Sequence, residues 1–277
     1  MECLSRKGVP MPELPEVELT RRQLRGAMEA ARFENVLVRR ADLRDPLPRD
    51  FAARLEGRTV LALKRRAKYL IVELTSGEIL VMHLGMSGSF AVSKTPLSQL
   101  DSHDHVVFKM SSGMTVVYND PRRFGVMRLL DGDLARDPVL GKLGAEPLAS
   151  TFGARSLALT LRGRKTTLKA ALSDQRIIAG VGNIYVCEAL HRARLSPRRR
   201  ASTLVTRTGA PRPALDVLVK AIRAVLTEAL SKKRAAADRF RVYDREGRRC
   251  PRRGCGGTIR RIVQNGRSTF YCPVCQR

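Results

Sequence analysis

Four cysteines near the carboxyl end constrain the fold of this chain more than any other feature. The last 28 residues contain Cys250, Cys255, Cys272 and Cys275, in the pattern C-x4-C-x16-C-x2-C. Two pairs of closely spaced thiolates, brought together by a hairpin, supply the four soft ligands that a tetrahedral zinc ion prefers. Residues 258–263 and 268–271 have strand composition, and an Asn-Gly turn lies between them. The pattern predicts a zinc ribbon with one structural ion, because no ligand position remains for a catalytic water.

Two structural disulfides are the alternative for the same four cysteines. Residues 1–11 lack the apolar stretch of a secretion signal, and no segment approaches the roughly 20 apolar residues that cross a bilayer. Disulfides persist in oxidising compartments, whereas a protein without such a signal is expected in the reducing cytoplasm. The sequence therefore favours zinc, in a soluble cytoplasmic protein that does not associate with a membrane.

The charge of the chain indicates a polyanionic partner. The 277 residues contain 52 Lys and Arg against 26 Asp and Glu, which gives a formal net charge of +26. Because 43% of the residues are hydrophobic, we expect a folded protein with a charged surface and not a disordered basic tail. The length suits about two domains. Nucleic acid is the partner that such an excess most favours.

Hydrophobic periodicity divides the chain into segments. Residues 1–10 carry no clear pattern and are interpreted as an extension, whereas 11–130 combine one helix with short apolar runs and form a predicted β-sandwich. A linker at 131–147 precedes a helical domain at 148–240 and the zinc hairpin at 241–277. Strands are expected at 60–63, 69–74, 79–82, 106–110 and 114–118, and later helices at 166–176, 183–194 and 215–234.

Five motifs occur in one order along the chain. They are Met-Pro-Glu-Leu-Pro-Glu-Val-Glu at 11–18, Arg-Arg-Ala-Lys-Tyr-Leu at 65–70, His-Leu-Gly-Met-Ser-Gly at 83–88, Asn-Asp-Pro-Arg-Arg-Phe-Gly at 119–125 and Gly-Val-Gly-Asn-Ile-Tyr at 180–185. With the cysteines, they make residues 11–277 resemble the formamidopyrimidine-DNA glycosylase family, which removes oxidised bases and cuts the abasic strand. The resemblance implies an α+β multidomain fold with a helix-two-turn-helix domain before the zinc hairpin.

The resemblance also implies a set of catalytic residues. Pro12 corresponds to the amino-terminal proline whose secondary amine attacks C1′ of the sugar, and Glu13 to the acid that moves protons beside it. Glu16 is similar to a glutamate near the damaged nucleotide. Lys68 matches the lysine that contacts a phosphate and takes part in β-elimination. Arg267 matches the arginine that grips the lesion phosphate and is assigned to δ-elimination.

The position of Pro12 departs from the family pattern. Ten residues precede Met11. In a chain that keeps them, the Pro12 nitrogen is part of a peptide bond and has no basic lone pair. We therefore expect translation to begin at Met11 or a processing step to expose Pro12. If the first ten residues stay attached, the alternative is a damage-binding protein without catalysis.

DNA contacts follow from the same resemblance. A base inside a duplex must be extruded before chemistry, and the gap has to be filled. Met86 matches the residue that fills the gap, while Arg122 and Phe124 match the arginine and wedge that accompany it, next to Arg123. His103 matches a further DNA contact. For the phosphates beside the lesion the implied contacts are Asn183, expected at a helix N-cap, with Arg164 and Lys169 on the preceding segment.

The expected partner is double-stranded DNA that carries an oxidised base or an abasic site, bound by a monomer. The segment 231–240 is short and lacks glycine, where the family commonly has a glycine-rich loop over 8-oxoguanine. This difference favours formamidopyrimidines, further-oxidised guanines or oxidised pyrimidines over 8-oxoguanine. An endonuclease VIII-like specificity for oxidised pyrimidines is the alternative within the same chemistry.

Overall fold

The chain folds as two units, one that ends at Lys142 and one that spans Leu143–Arg277. The computed structural model describes residues 11–94, 99–231 and 240–277. The extension at 1–10 and nearly all of the short segment 231–240 lie outside the described residues. The division between the units falls inside the stretch predicted as a linker.

The described part of the first unit contains two α-helices, two short 3-10 helices and two four-stranded antiparallel sheets. The strand orders are β1-β6-β7-β5 and β2-β3-β4-β8, and one hydrophobic core draws residues from both sheets and from α1. The elements are α1 (Leu14–Met28), β1 (Phe33–Val38), α2 (Phe51–Leu55), β2 (Val60–Arg66), β3 (Tyr69–Leu74), β4 (Glu78–His83), β5 (Ser89–Ser93), β6 (Asp104–Met110), β7 (Thr115–Asn119) and β8 (Val126–Asp131). The predicted β-sandwich with its flanking helix is confirmed.

Helix α1 begins where the sequence places its start signals. The Glu13 backbone N–H donates to a carboxylate oxygen of Glu16 at 3.1 Å, which satisfies one of the amides left unpaired at a helix start. Pro15 lies in the first turn, where its missing N–H costs nothing. In this structure Glu16 therefore organises the segment that holds Pro12 and Glu13.

Within its described residues, the second unit contains four α-helices, one short 3-10 helix and one hairpin. The predicted helix at 166–176 is shorter in the structure. The Thr167 hydroxyl caps its first turn, and the backbone adopts an extended conformation at Asp174, which ends the helix. The elements are α3 (Ala154–Leu161), α4 (Leu168–Ser173), α5 (Asn183–Ala193), α6 (Pro213–Ser231), β9 (Arg260–Gln264) and β10 (Arg267–Tyr271). The helical domain and the zinc-finger hairpin of the predicted fold class are thereby confirmed.

The charge of the chain is concentrated in the second unit. Residues 143–277 contain 29 Lys and Arg against 8 Asp and Glu, a net charge of +21, whereas residues 1–142 contain 23 against 18, a net charge of +5. None of the described helices is long and apolar enough to cross a membrane.

Candidate active site and nucleic-acid interface

Three loops meet at one edge of the β2-β3-β4-β8 sheet. His83, the last residue of β4, pairs with Tyr69 at the start of β3 and with Val126 at the start of β8. The β2–β3 turn at 67–68, the loop after β4 and the turn before β8 must therefore lie side by side. Lys68 lies in the first, Met86 in the second, and residues 122–124 in the third, so this register brings together residues far apart in the sequence.

Helix α1 delivers Pro12 and Glu13 toward the same edge. At the far end of the helix the Ala30 backbone N–H donates to the Val60 carbonyl, at the beginning of β2. Near its start, Glu18 forms an ion pair with Arg65 at 3.4 Å, at the end of β2. The helix and β2 are thus antiparallel, and the residues that precede the helix lie toward the β2–β3 turn. Both Pro12 and Glu13 are buried.

His83 links the Lys68 turn to the Met86 loop. Its ring stacks on Tyr69 with centroids 4.8 Å apart, and its Nδ1 accepts the Gly85 backbone N–H at 3.0 Å. Burial, together with the positive charges of Lys68 and Arg44, lowers the pKa of His83 to about 4. At neutral pH the imidazole is therefore uncharged and retains the lone pair that the Gly85 contact needs.

The Met86 loop and the Arg122–Phe124 turn are packed against each other. Gly85 has φ 62° and lies so close to Phe124 that a Cβ would come within 2.3 Å of the Phe124 carbonyl carbon. The Arg122 guanidinium lies 4.8 Å from the Phe124 ring centroid. Met86 and Phe124 nevertheless remain 37% and 40% exposed. Both are available to insert into a partner.

Two further residues predicted to contact DNA lie in the same region. His103 is exposed, and its backbone carbonyl accepts the N–H of Asp120, which immediately precedes the Arg122 turn. Arg123 adopts a left-handed conformation with φ 56°, and its Nη1 donates to the Asp42 carboxylate at 2.6 Å. The Arg123 charge is thus partly balanced by a carboxylate of the protein, whereas the Arg122 guanidinium lies over the Phe124 ring.

In the second unit, three of the predicted phosphate contacts line one cleft of about 460 Å³. The cleft is lined by Arg164, Thr166, Lys169, Ala170, Ala171, Ser173, Asp174, Asn265 and Arg267. The hairpin that brings Arg267 to the cleft turns at Asn265 and Gly266, both with positive φ, as the Asn-Gly signal predicts. The structure therefore places residues from α4, the loop before it and the hairpin turn around one concave basic surface.

Asn183 occupies a different place from the one expected. Gly182 is the N-cap of α5, and Asn183 is the first helical residue. Its side-chain amide donates to the Ser268 carbonyl of β10 at 2.9 Å, beside Arg267 in the sequence. Asn183 does not line the cleft, but it ties the amino end of α5 to the strand that follows Arg267.

The four cysteines of the C-x4-C-x16-C-x2-C pattern fit a zinc ion. All four sulfur atoms lie within 4.8 Å of one another, with Cys250 3.9 Å from Cys275 and Cys255 3.5 Å from Cys272. A tetrahedron with Zn–S bonds of about 2.3 Å has edges of about 3.8 Å, so these separations match zinc and not disulfide bonds. None of the described cysteines forms a disulfide, and the disulfide alternative is wrong.

Hydrogen bonds hold the zinc hairpin and the chain that enters it along the length of α5. The residues that form them were not predicted from the sequence. Arg252, in the long knuckle between Cys250 and Cys255, donates to the His191 carbonyl at 2.8 Å, near the carboxyl end of the helix. His191 Nε2 lies 3.3 Å from the Cys250 sulfur. The Glu188 carboxylate accepts three backbone N–H groups at 241–243, each at 2.9 Å. An acid and a histidine on the mostly buried helix α5 were the available signals.

Three family models match successive parts of the chain. The formamidopyrimidine-DNA glycosylase N-terminal domain matches residues 11–127, the H2TH domain of the same glycosylase matches 143–240, and the zinc finger found in FPG and IleRS matches 247–277. Formamidopyrimidine-DNA glycosylases from Rhodopseudomonas palustris BisA53 and Beijerinckia indica are 53% and 54% identical, over 96% of this chain and 100% of each relative.

Solved structures show the same fold. MutM (Fpg) from Thermus thermophilus is 37% identical, with a TM-score of 0.80 over 96% of this chain and 98% of that one. The Lactococcus lactis formamidopyrimidine-DNA glycosylase bound to DNA with an abasic site is 29% identical, with a TM-score of 0.84 over 96% and 99%. The same L. lactis protein in complex with DNA that contains Fapy-dG has a TM-score of 0.83 at 29% identity, over 96% and 100%.

Removal of zinc should release the hairpin from α5. The hairpin core consists of few buried residues around the cysteines, so the metal supplies much of its folding free energy. We expect Cys272→Ser to lose the zinc ion and bind DNA at least tenfold more weakly, whereas Cys187→Ser, outside the ligand set, should retain one zinc per chain. Zinc content and fluorescence anisotropy with a labelled duplex measure both effects. Full zinc occupancy in Cys272→Ser would contradict the assignment.

Acid should destabilise the first unit through His83. Because the pKa of His83 is lowered to about 4 from 6.5, the unfolded chain binds a proton between these pH values that the folded chain does not. Stability is therefore lost as the pH falls from 6.5 to 4, by up to about 3 kcal/mol. His83→Asn keeps an acceptor near the Nδ1 position without titrating. Unfolding and Gly85 amide exchange should depend less on pH in this variant, and an equal dependence in both proteins would exclude His83 as the source.

Proposed function

The chain belongs to the formamidopyrimidine-DNA glycosylase family, so it is a DNA glycosylase with abasic-site lyase activity, and we propose that Pro12 is its nucleophile. The supporting observation is the edge of the β2-β3-β4-β8 sheet, where the segment that begins α1 approaches the turn of Lys68 and the loop of Met86. The family acts on formamidopyrimidine and other oxidised purine lesions in DNA.

The proposed reaction requires a free secondary amine. In a chain that begins at Pro12, the nitrogen lone pair attacks C1′ of the damaged nucleotide, and the base leaves with the electrons of the glycosidic bond and gains a proton. The bound nitrogen then loses its proton and expels the ring oxygen O4′, which gains a proton as the sugar opens. The resulting iminium acidifies the C2′–H bond. Loss of that proton and of the 3′ phosphate is β-elimination, and loss of the 5′ phosphate in a second elimination completes strand cleavage.

Glu13 and Lys68 are the proposed proton carriers. Glu13 adjoins the nucleophile and is fully buried, so its carboxyl group is shielded from bulk water. Lys68 is half-buried in the β2–β3 turn, and its charge reaches far enough to affect His83. We assign proton transfer at the sugar to Glu13, and phosphate contact with participation in β-elimination to Lys68.

Base extrusion is assigned to the exposed tips of the two packed loops. We infer that Met86 fills the space of the extruded nucleotide, that Phe124 enters the neighbouring step, and that Arg122 contacts the unpaired partner base. These roles fit an exposed methionine and an exposed phenylalanine on loops that glycine packing holds in place. His103 and Arg123, at the flanks of this surface, are the proposed backbone contacts.

The second unit is the proposed grip on the DNA backbone. Arg164, Lys169 and Arg267 surround one cleft, and Asn183 holds the adjoining strand through Ser268. A unit with a net charge of +21 suits a phosphate partner. We assign phosphate binding to all four residues, and participation in δ-elimination to Arg267. The zinc ion held by the four cysteines maintains the fold of the hairpin that carries Arg267.

The proposed substrate is duplex DNA with an oxidised purine or an abasic site. The L. lactis relative has been solved with both abasic-site DNA and Fapy-dG DNA. The relatives reported above carry the formamidopyrimidine name, which favours this specificity over the endonuclease VIII-like alternative. Those relatives are bacterial, and we propose that the protein acts as a monomer in a bacterial cytoplasm.

Borohydride trapping tests the nucleophile. Protein expressed from Met11, with the methionine removed, should form a covalent adduct with a duplex that carries Fapy-dG or an abasic site, because borohydride reduces the iminium to a stable amine. Peptide mapping should locate the adduct at Pro12. A parallel duplex with 8-oxoguanine measures how far the short 231–240 segment restricts the substrate.

The control for this experiment is the full 277-residue chain. An amide at Pro12 has no basic lone pair, so the extended chain should form at least a hundredfold less adduct while it still binds DNA. An adduct at another residue, or no adduct on the abasic duplex in the Met11 form, would remove Pro12 from its proposed role and leave a damage-binding protein.

Salt dependence tests the assignment of Arg267. Each phosphate contact contributes about 0.9 to the slope of log K against log salt concentration, through release of counterions. We expect Arg267→Gln to lower that slope by about 1 and to weaken binding uniformly across DNA sequences. Arg155→Gln, which removes an exposed arginine at the start of α3, is the matched control. Equal slopes in the two variants would show that Arg267 makes no phosphate contact.

A further inference from the structure

Asp120 is a fully buried carboxylate that no role assigned above explains. It lies between β7 and the Arg122–Phe124 turn and has no solvent exposure. Its Oδ2 accepts the Gly125 backbone N–H at 2.7 Å and the Tyr118 hydroxyl at 3.1 Å. Its Oδ1 accepts the Ser87 hydroxyl at 2.5 Å. A carboxylate buried away from water is stable only when its oxygens are satisfied in this way.

The Ser87 contact joins two loops that the sequence separates by more than 30 residues. Ser87 follows Met86 directly, and its Oγ also accepts the Arg122 backbone N–H at 3.2 Å. One hydroxyl therefore donates to Asp120 and accepts from the residue two positions later. The gap-filling methionine and the wedge turn are connected through this pair of hydrogen bonds.

The main chain of Asp120 adds a third segment. Its N–H donates to the His103 carbonyl at 3.0 Å, and its carbonyl accepts the Arg123 N–H at 3.1 Å. The same carbonyl lies 2.8 Å from Nε2 of the buried His105. Asp120 thus contacts the two loops and the segment that precedes β6, which together carry the DNA contacts proposed for the first unit apart from Lys68.

Close packing leaves these segments little freedom to move separately. A Cβ on Gly125 would lie 1.7 Å from the Tyr118 hydroxyl oxygen, and one on Gly88 would lie 2.6 Å from the same atom. Burial, together with the Asp120 carboxylate, raises the pKa of Tyr118, so that the phenol remains a hydrogen-bond donor. The arrangement depends on a single acceptor group at its centre.

We propose that Asp120 is a positioning residue that holds the Met86 loop and the Arg122–Phe124 turn as one rigid unit for base extrusion. This inference rests on the proposed function and adds to it a requirement for simultaneous insertion. If Met86 fills the gap and Phe124 opens the stack, both must enter within one event, and a separate ordering cost for each loop would slow extrusion. Asp120 removes that cost without contact with DNA.

The requirement applies only where a base must be extruded. A single-stranded abasic oligonucleotide offers C1′ without unstacking, so its reaction with the amine should not depend on the coupling of the two loops. Asp120→Asn places an N–H₂ group among donors and removes acceptor capacity, while the size of the side chain is kept. The variant should therefore lose extrusion and retain the covalent chemistry.

The experiment compares two rates in each variant of the Met11 form. The first is excision of Fapy-dG from a duplex, and the second is borohydride trapping on a single-stranded abasic oligonucleotide. We expect Asp120→Asn to lower the ratio of the first rate to the second at least tenfold, and Ser87→Ala to lower it about threefold. A lesion placed in a mismatched, already unstacked bubble should restore most of the loss.

Asp137→Asn is the matched control. Asp137 is another buried carboxylate of the same unit that accepts backbone N–H groups and pairs with Arg128, and its hydrogen bonds among the described residues reach neither loop. Its replacement should reduce thermal stability and leave the ratio within twofold of the unmodified protein. Ser87→Ala keeps the test informative if Asp120→Asn does not fold.

The outcomes separate the inference from the function on which it rests. A ratio of the two rates that stays unchanged in both Asp120→Asn and Ser87→Ala, whether or not the rates themselves fall, would overturn the positioning role. Absence of any adduct with the unmodified Met11 form on either substrate would instead overturn the proposed nucleophile.

Discussion

The pairing of His83 with Tyr69 and Val126 is the constraint on which the arrangement of the first unit depends. Because side chains alternate along a strand, a shift of one residue in this register would invert which side chains of β4 face the core. It would also separate the Met86 loop from the turn that precedes β8. The buried face of β4 resists such a shift, since Leu80 and Met82 belong to the hydrophobic core. The cohesion of the core thus fixes the position of loops that are themselves mostly polar or exposed.

Helix α5 has the corresponding role in the second unit. Its amino end is held through Asn183 to Ser268, its middle through Glu188 to the chain that enters the hairpin, and its carboxyl end through Arg252. The hairpin has a small core and would not keep this orientation on a surface contact alone. Zinc and the helix therefore act together, since the metal folds the hairpin and the helix fixes where its turn, and with it Arg267, is placed.

The sequence was sufficient where a local pattern has one structural solution. The cysteine spacing, the Asn-Gly turn and the long apolar runs of β3 and β4 were predicted correctly. Strands β1, β5 and β8 were not predicted, because their apolar runs are short or interrupted by polar residues, as by Arg128, which pairs with Asp137, in β8. Asp120, Glu188 and Arg252 were missed for a related reason. The side chain of each has a partner distant in the sequence, the Ser87 hydroxyl for Asp120 and backbone groups for the other two, and no local pattern contains both partners.

The unequal division of charge agrees with the division of labour between the units. In the first unit many charges are balanced at short range, as in the pairs of Glu18 with Arg65 and of Asp42 with Arg123. The groups proposed there for chemistry and base extrusion are a buried Glu13 and the exposed apolar tips, beside an uncharged His83. The second unit carries a net charge of +21 and attracts any DNA backbone, within a Debye length of about 8 Å at physiological salt. In the proposed function, the second unit supplies affinity that does not depend on DNA sequence. The first unit can then respond to how easily a damaged base leaves the stack.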